Sequence, residues 1–157
     1  MDMAGGSSNI IGEGIESLQK RHGSFPVNQT TLSLRADAYH DASERASEGI
    51  ADVYVRVYND NGDVLHIGTD GQRRVPRCVG DSGRSLKDRA RNAVEESTGV
   101  TCSIEQIVRV TIAGVRNADD PDAETVYRLL VLFDGSRSGG KLRDGVWQSD
   151  PETPGLV

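Results

Sequence analysis

Cysteine is scarce in this 157-residue sequence, which has only Cys78 and Cys102. They are too few and too far apart for a C-x-x-C metal knuckle, and in a chain with no secretory signal they read as plain thiols. Lysine is confined to Lys20, Lys87 and Lys141. Positive charge is also in deficit: 18 Lys and Arg against 24 Asp and Glu give a formal charge of -6. A phosphate polyanion or an anionic membrane would be repelled overall, so general nucleic-acid or membrane binding is not expected, and a small partner fits better. No apolar run approaches the ~18 residues of a membrane span. The first residues lack the basic and apolar regions of a signal peptide, so the expected location is cytoplasmic. His22, His40 and His66 are scattered without metal-ligand spacing, which favours packing or surface roles.

The length suits one domain with a real core. Residues 1–22 read as a flexible Gly/Ser-rich leader with a short helix near 15–21, and residues 23–49 as an extension carrying a short strand at 31–34 and a helix at 36–48 closed by Gly49. The main domain then spans residues 50–157. Within it Val53, Val55 and Val57 alternate with Tyr54, Arg56 and Tyr58 before the turn Asn59-Asp60-Asn61-Gly62, which predicts a β-hairpin. Leu86, Ala90, Ala93 and Val94 make a helical stripe over 85–98, with Ser85 as N-cap and Gly99 as stop. Strands are expected at 101–114 and 125–133, separated by an acidic loop at 116–124. A Gly/Ser-rich connection at 135–140 and a short strand at 146–148 follow.

Hairpin, loop, helix ending in Glu-Glu-Ser-Thr-Gly-Val, two long strands and a late Trp147 occur here in the order found in Nudix hydrolases. The likeness extends over about residues 50–147, and the stretch from His22 to Val27 with the following helix resembles the N-terminal extension of one archaeal Nudix branch. The family box is a Gly, five residues, a Glu, seven residues, then R-E-U-x-E-E-x-G-U, with U a bulky aliphatic. Laid on residues 76–100 it aligns without a gap: Gly83 matches the usual Gly before the first Glu, Val94 the aliphatic, Glu96 the first of the Glu pair, and Gly99-Val100 the closing G-U. The resemblance implies an α+β Nudix fold, a mixed β-sheet sandwiched between α-helices. It also implies magnesium-dependent attack of water on a pyrophosphate, with the helix carboxylates at i, i+3 and i+4 holding the metal.

The box departs from the family where the metal would sit. Arg84 stands for its first Glu, Asn92 for the orienting Arg, Ala93 and Ser97 for two glutamates, and Arg77-Cys78 for Gly-Gly. Losing one such group costs roughly 3 kcal/mol of transition-state stabilisation, ~100-fold in rate, and the losses act on one unit. Glu96 is the remaining box carboxylate, the expected catalytic or metal-holding residue if there is one, with neighbouring Glu95 as the alternative. A Glu-Glu pair near a helix end is ordinarily just solvated; its register in the box gives it meaning.

Against the overall acidity, Arg73, Arg77, Arg84 and Lys87 gather around the loop before the box helix, a place for anion binding at a helix N-terminus. A solvated, internally paired helix face is the competing reading. The expectation is a Nudix-like module that binds a phosphorylated small molecule, such as a nucleotide derivative, or a partner with little or no hydrolysis. No cofactor is expected to bind strongly, and homodimerisation is left open. The alternative is an active hydrolase of a nucleoside-diphosphate-linked substrate, using Mg2+ on Glu96 with carboxylates from elsewhere, such as Asp81, Glu95 or Glu124.

Overall fold

The structure is a computed structural model that describes residues 3–69, 71–81 and 85–149, with side chains of the first helix from residue 11 onward. The elements run α1 (Met3–His22), β1 (Val27–Leu34), α2 (Ala36–Glu48), β2 (Ala51–Tyr58), β3 (Val64–His66), β4 (Arg77–Gly80), α3 (Leu86–Thr98), β5 (Val100–Asn117), β6 (Val126–Gly140) and β7 (Val146–Gln148). A seven-stranded mixed sheet has the order β1-β5-β6-β2-β3-β7, with β4 also pairing with β2. β1 is parallel to β5 and β2 to β6, whereas β5 and β6 run antiparallel. The architecture is the expected α+β arrangement of a mixed sheet between helices.

The two-residue period of β2 explains the sandwich. Val53, Val55 and Val57 point into a cluster with Ile11 and Leu18 of α1 and Leu86, Ala90 and Val94 of α3. Tyr54 points the other way, into a cluster with Tyr39 and Ala42 of α2. Both faces of β2 are therefore covered, and its polar Asp52 is buried as well. The hairpin turn forms as the sequence indicates. Asn59 Oδ1 accepts from the backbone N–H groups of Asn61 and Asp63, and Gly62 takes the left-handed conformation at φ 81.

Three local expectations change. The helix expected near 15–21 extends back to Met3, because Ile11 and Leu18 find an apolar sheet face that overrides the weak intrinsic propensity of the Gly/Ser-rich start. The glycine-rich stretch at 135–140 is strand, not connection: β5 pairs with it on both sides of a bulge at Ser138, and a Cβ at Gly135 would lie 2.6 Å from the Ser103 carbonyl oxygen. Gly49 follows α2 in an extended conformation, so it is no left-handed stop; its lack of a side chain lets the chain pass against the Gly80 carbonyl.

Candidate functional site

The box helix α3 is built as its sequence dictates. Ser85 Oγ accepts from the Asp88 backbone N–H at 3.2 Å, and Gly99 ends the helix at φ 85, its N–H donating to the Glu95 carbonyl at 2.8 Å. Leu86, Ala90, Val94 and Thr98 form the buried stripe. The Thr98 hydroxyl donates to the Val94 carbonyl at 2.6 Å and accepts from the Val100 N–H at 3.1 Å, tying the helix end to the start of β5. The opposite face presents Asn92, Glu95, Glu96 and Ser97 to solvent, with Ala93 half-buried beside them. Ser97 Oγ is turned back on the helix, donating to the Ala93 carbonyl at 2.7 Å.

Glu95 and Glu96 do come together, in a cleft of about 320 Å³ lined with Asn92 and Arg143. Arg143 is a residue the sequence did not single out. Its backbone N–H donates to the Thr98 carbonyl at 2.8 Å and its Nη2 to the Glu95 carbonyl at 3.1 Å, so a guanidinium from the loop after β6 closes the negative end of the helix. No local signal marks Arg143, which is 48 residues from Glu95 in the chain. A second cleft of about 360 Å³ shares Asn92 and Glu95 and adds Arg91, Thr101, Cys102, Ser103 and Ser138. Burial pushes the Cys102 thiol up to about 11, with Glu95 adding to the rise and Arg91 opposing it, so the thiol is protonated and a poor nucleophile at neutral pH. Cys78 is raised by burial too.

The donor set of this cleft does not fit magnesium. An octahedral ion wants several oxygens, and here two carboxylates and an amide stand beside a fixed cation. Among the described residues no three of His, Cys, Asp or Glu converge on one point. Of the substitute carboxylates, Asp81 and Glu124 line a different cleft, of about 430 Å³, with Tyr127 and Arg128. Asp81 precedes the first turn of α3 and Glu96 lies in its last, so a helix rising ~1.5 Å per residue separates them by well over a metal–ligand bond.

The basic residues expected to form one cradle are distributed more widely. Arg73 is exposed on the segment between β3 and β4. Arg77 pairs with Tyr54 across β4 and β2 and hydrogen-bonds to it, and Tyr54 belongs to the α2 face of the sheet, whereas Lys87 stands on α3 across the opposite face. The period of the strand thus turns Arg77 toward the α2 side, away from Lys87. Arg84 lies outside the described residues. Lys87 acts on His22 of α1: burial first, then Lys87 and then Arg21, hold the His22 pKa below its usual value. Along α3, Lys87, Arg89 and Arg91 occupy the first half beside Asp88, and Glu95 and Glu96 the end. Arg91 pairs with Asp88 at 2.6 Å, while Arg89 Nε donates to the Val79 carbonyl at 3.2 Å. Apart from Asp88, this order opposes the macrodipole, which favours acids first and bases last by about 0.3–1 kcal/mol each.

A different charge group is fully buried. Arg128 donates to both Asp52 oxygens, at 2.8 Å through Nη2 and 3.3 Å through Nε, and to the Gly49 carbonyl through Nη1. Arg45 of α2 adds a contact to Asp52 at 3.2 Å. The sequence reading missed this group; its trace is a lone Arg inside the apolar run of β6.

No protein-family model and no curated protein matches the sequence. Among solved structures, a UDP-X diphosphatase is similar over 69% of this chain and 56% of its own, at 17% identity and a TM-score of 0.45. A MutT protein from Methanosarcina mazei Go1 is similar over 69% and 76%, at 17% identity and 0.39. A candidate oxidoreductase from Sinorhizobium meliloti 1021 is similar over 71% and 35%, at 18% identity and 0.42. The chain thus spans about a third and about half of the lengths of the oxidoreductase and the diphosphatase. Likenesses this distant carry no argument about chemistry.

Proposed function

We propose that the chain is a Nudix-like module that binds a phosphorylated small molecule, of the nucleotide-derivative class, with little or no hydrolysis. The observation that carries this reading is the solvent face of α3. Its box positions are Ala93, Glu96 and Ser97, and the cleft holding Glu95 and Glu96 contains the Arg143 guanidinium in the company a metal would need. A fixed cation there offers no open coordination position and no metal-bound water.

The ligand phosphates belong at the other end of the helix. Lys87 lies in the first turn of α3, at the positive end of the helix dipole, where stability alone would favour acids, and it acts with Arg21 of α1 on His22. Arg73, exposed between β3 and β4, and Arg84, which precedes Ser85 in the sequence, are the further cations proposed for the ligand. Phosphate binding of this kind needs no metal and weakens with salt.

The test is a turnover and binding screen. Nucleotides, nucleotide sugars and dinucleotide polyphosphates are offered with magnesium and with EDTA, reading phosphate or nucleotide release and the thermal midpoint. The proposal expects stabilisation by at least one phosphorylated ligand in both conditions and no magnesium-dependent release. Sustained magnesium-dependent release would establish the hydrolase alternative, with Glu96 and Glu95 as the first residues to substitute.

A further inference from the structure

The sheet ends on one side in β1, and no described strand pairs with its outer edge. Which backbone groups lie on that edge follows from the parallel pairing with β5. The Pro26 carbonyl accepts from the Val110 N–H and the Leu34 carbonyl from the Ala118 N–H, so the even-numbered residues turn their N–H and C=O inward. Val27, Gln29, Thr31 and Ser33 therefore direct theirs outward.

Exposed edges are normally blunted by charge, proline, a bulge or shortness. The other outer strands of this sheet are short: β4 has four residues and β7 three. β1 has eight, Val-Asn-Gln-Thr-Thr-Leu-Ser-Leu, without a charge or an internal proline, in a chain of net charge -6. Its register with β5 is unbroken, so no bulge twists it away. At its start sits Val27, a large hydrophobic side chain left 41% exposed.

We infer that the outer edge of β1 is a self-association surface, on which a second copy of this chain adds its own β1 antiparallel about a two-fold axis. The pattern is self-complementary. With the axis at Thr30, Val27 faces Ser33 of the other copy and Gln29 faces Thr31. The outward-directed residues then exchange both hydrogen bonds in every pair, and no outward N–H or C=O is left over. The two Thr30 side chains meet at the axis, and the absence of charge on β1 lets two acidic bodies approach along this line. Gln29 and Thr31 are exposed, so substituting them leaves the core untouched.

The experiment is sedimentation of the full chain across a concentration series up to roughly 100 μM, a range that reports dimers with micromolar Kd. Three proteins are compared: wild type, Gln29→Lys with Thr31→Lys, and Gln29→Lys with Thr31→Glu. The first pair of substitutions sets like charges opposite each other at both symmetry-related positions and should weaken the dimer by roughly tenfold or more. The second sets opposite charges there and should restore it. A wild type that stays monomeric through the series overturns the inference, and so does a dimer that both double variants leave equally intact. Circular dichroism and thermal midpoints establish that all three are folded.

Discussion

Two groups of charges in this protein have opposite fates. Asp52 of β2 and Arg128 of β6 are drawn into the interior, each 1% exposed, bonded to each other, with Arg45 of α2 on Asp52 and the Gly49 carbonyl on Arg128. The charges along α3 stand in solvent, in an order that mostly opposes the helix dipole, and Arg143 compensates the far end. The first arrangement is one that folding demands, because a buried ion without its partner is intolerable. The second is unhelpful to folding.

The largest effect is expected at the interior group. Asp52→Ala leaves Arg128 charged and buried, and equilibrium denaturation should show a loss of about 3–5 kcal/mol. Replacing both partners with apolar residues of similar size, Asp52→Leu with Arg128→Met, should cost much less than that. Equal losses in the two variants would mean that packing, not charge pairing, sets the effect.

The faces of α3 divide in the same way. Leu86→Ala removes a side chain that is 1% exposed against the sheet and should cost about 2–5 kcal/mol. Glu96→Gln, on the solvent face, should change stability by less than about 0.5 kcal/mol. If the box register is right, Ala93→Glu together with Ser97→Glu and Arg143→Ala should create a divalent-cation site beside Glu96 that the wild type lacks. A calcium- or magnesium-dependent rise in thermal midpoint confined to the triple variant is the expected result; no metal response would place these side chains off a common point.

The smallest effect concerns His22, packed edge-on to Phe133 at 5.7 Å between centroids. Its folded pKa is lowered, by burial first and then by Lys87 and Arg21. The unfolded chain then binds more protons just below the ordinary histidine value of 6.5, so stability is fully present above that pH and falls as pH drops below it. Denaturation midpoints at about pH 7.5 and about pH 5.5 should differ less in His22→Gln than in wild type.

How much of this was legible depended on distance along the chain. The α3 stripe, its Ser85 cap and Gly99 stop, the Asn59–Gly62 turn and the extent of α2 are governed by residues within a few positions, and the sequence displays them. The pairing of Asp52 with Arg128 spans 76 residues, and the docking of Arg143 on Glu95 spans 48. The first shows only as a lone Arg inside the apolar run of β6, and the second leaves no local trace that separates it from a solvated charge. The strand character of 135–140 was hidden because glycine carries no β signal, and only the partner strand β5 calls for it. The side of the sheet that Arg77 takes, set by its register with Tyr54, follows the alternation of a strand and not proximity in sequence.

The central claim, phosphate recognition at the basic end of α3 without a metal, is tested most directly by calorimetric titration of ADP-ribose into wild type and Lys87→Glu, each with magnesium and with EDTA. The account predicts wild-type binding that is the same in both buffers and weaker at higher salt, and a loss of roughly tenfold or more in Lys87→Glu. Wild-type binding that EDTA abolishes, or binding that Lys87→Glu leaves unchanged, would contradict it.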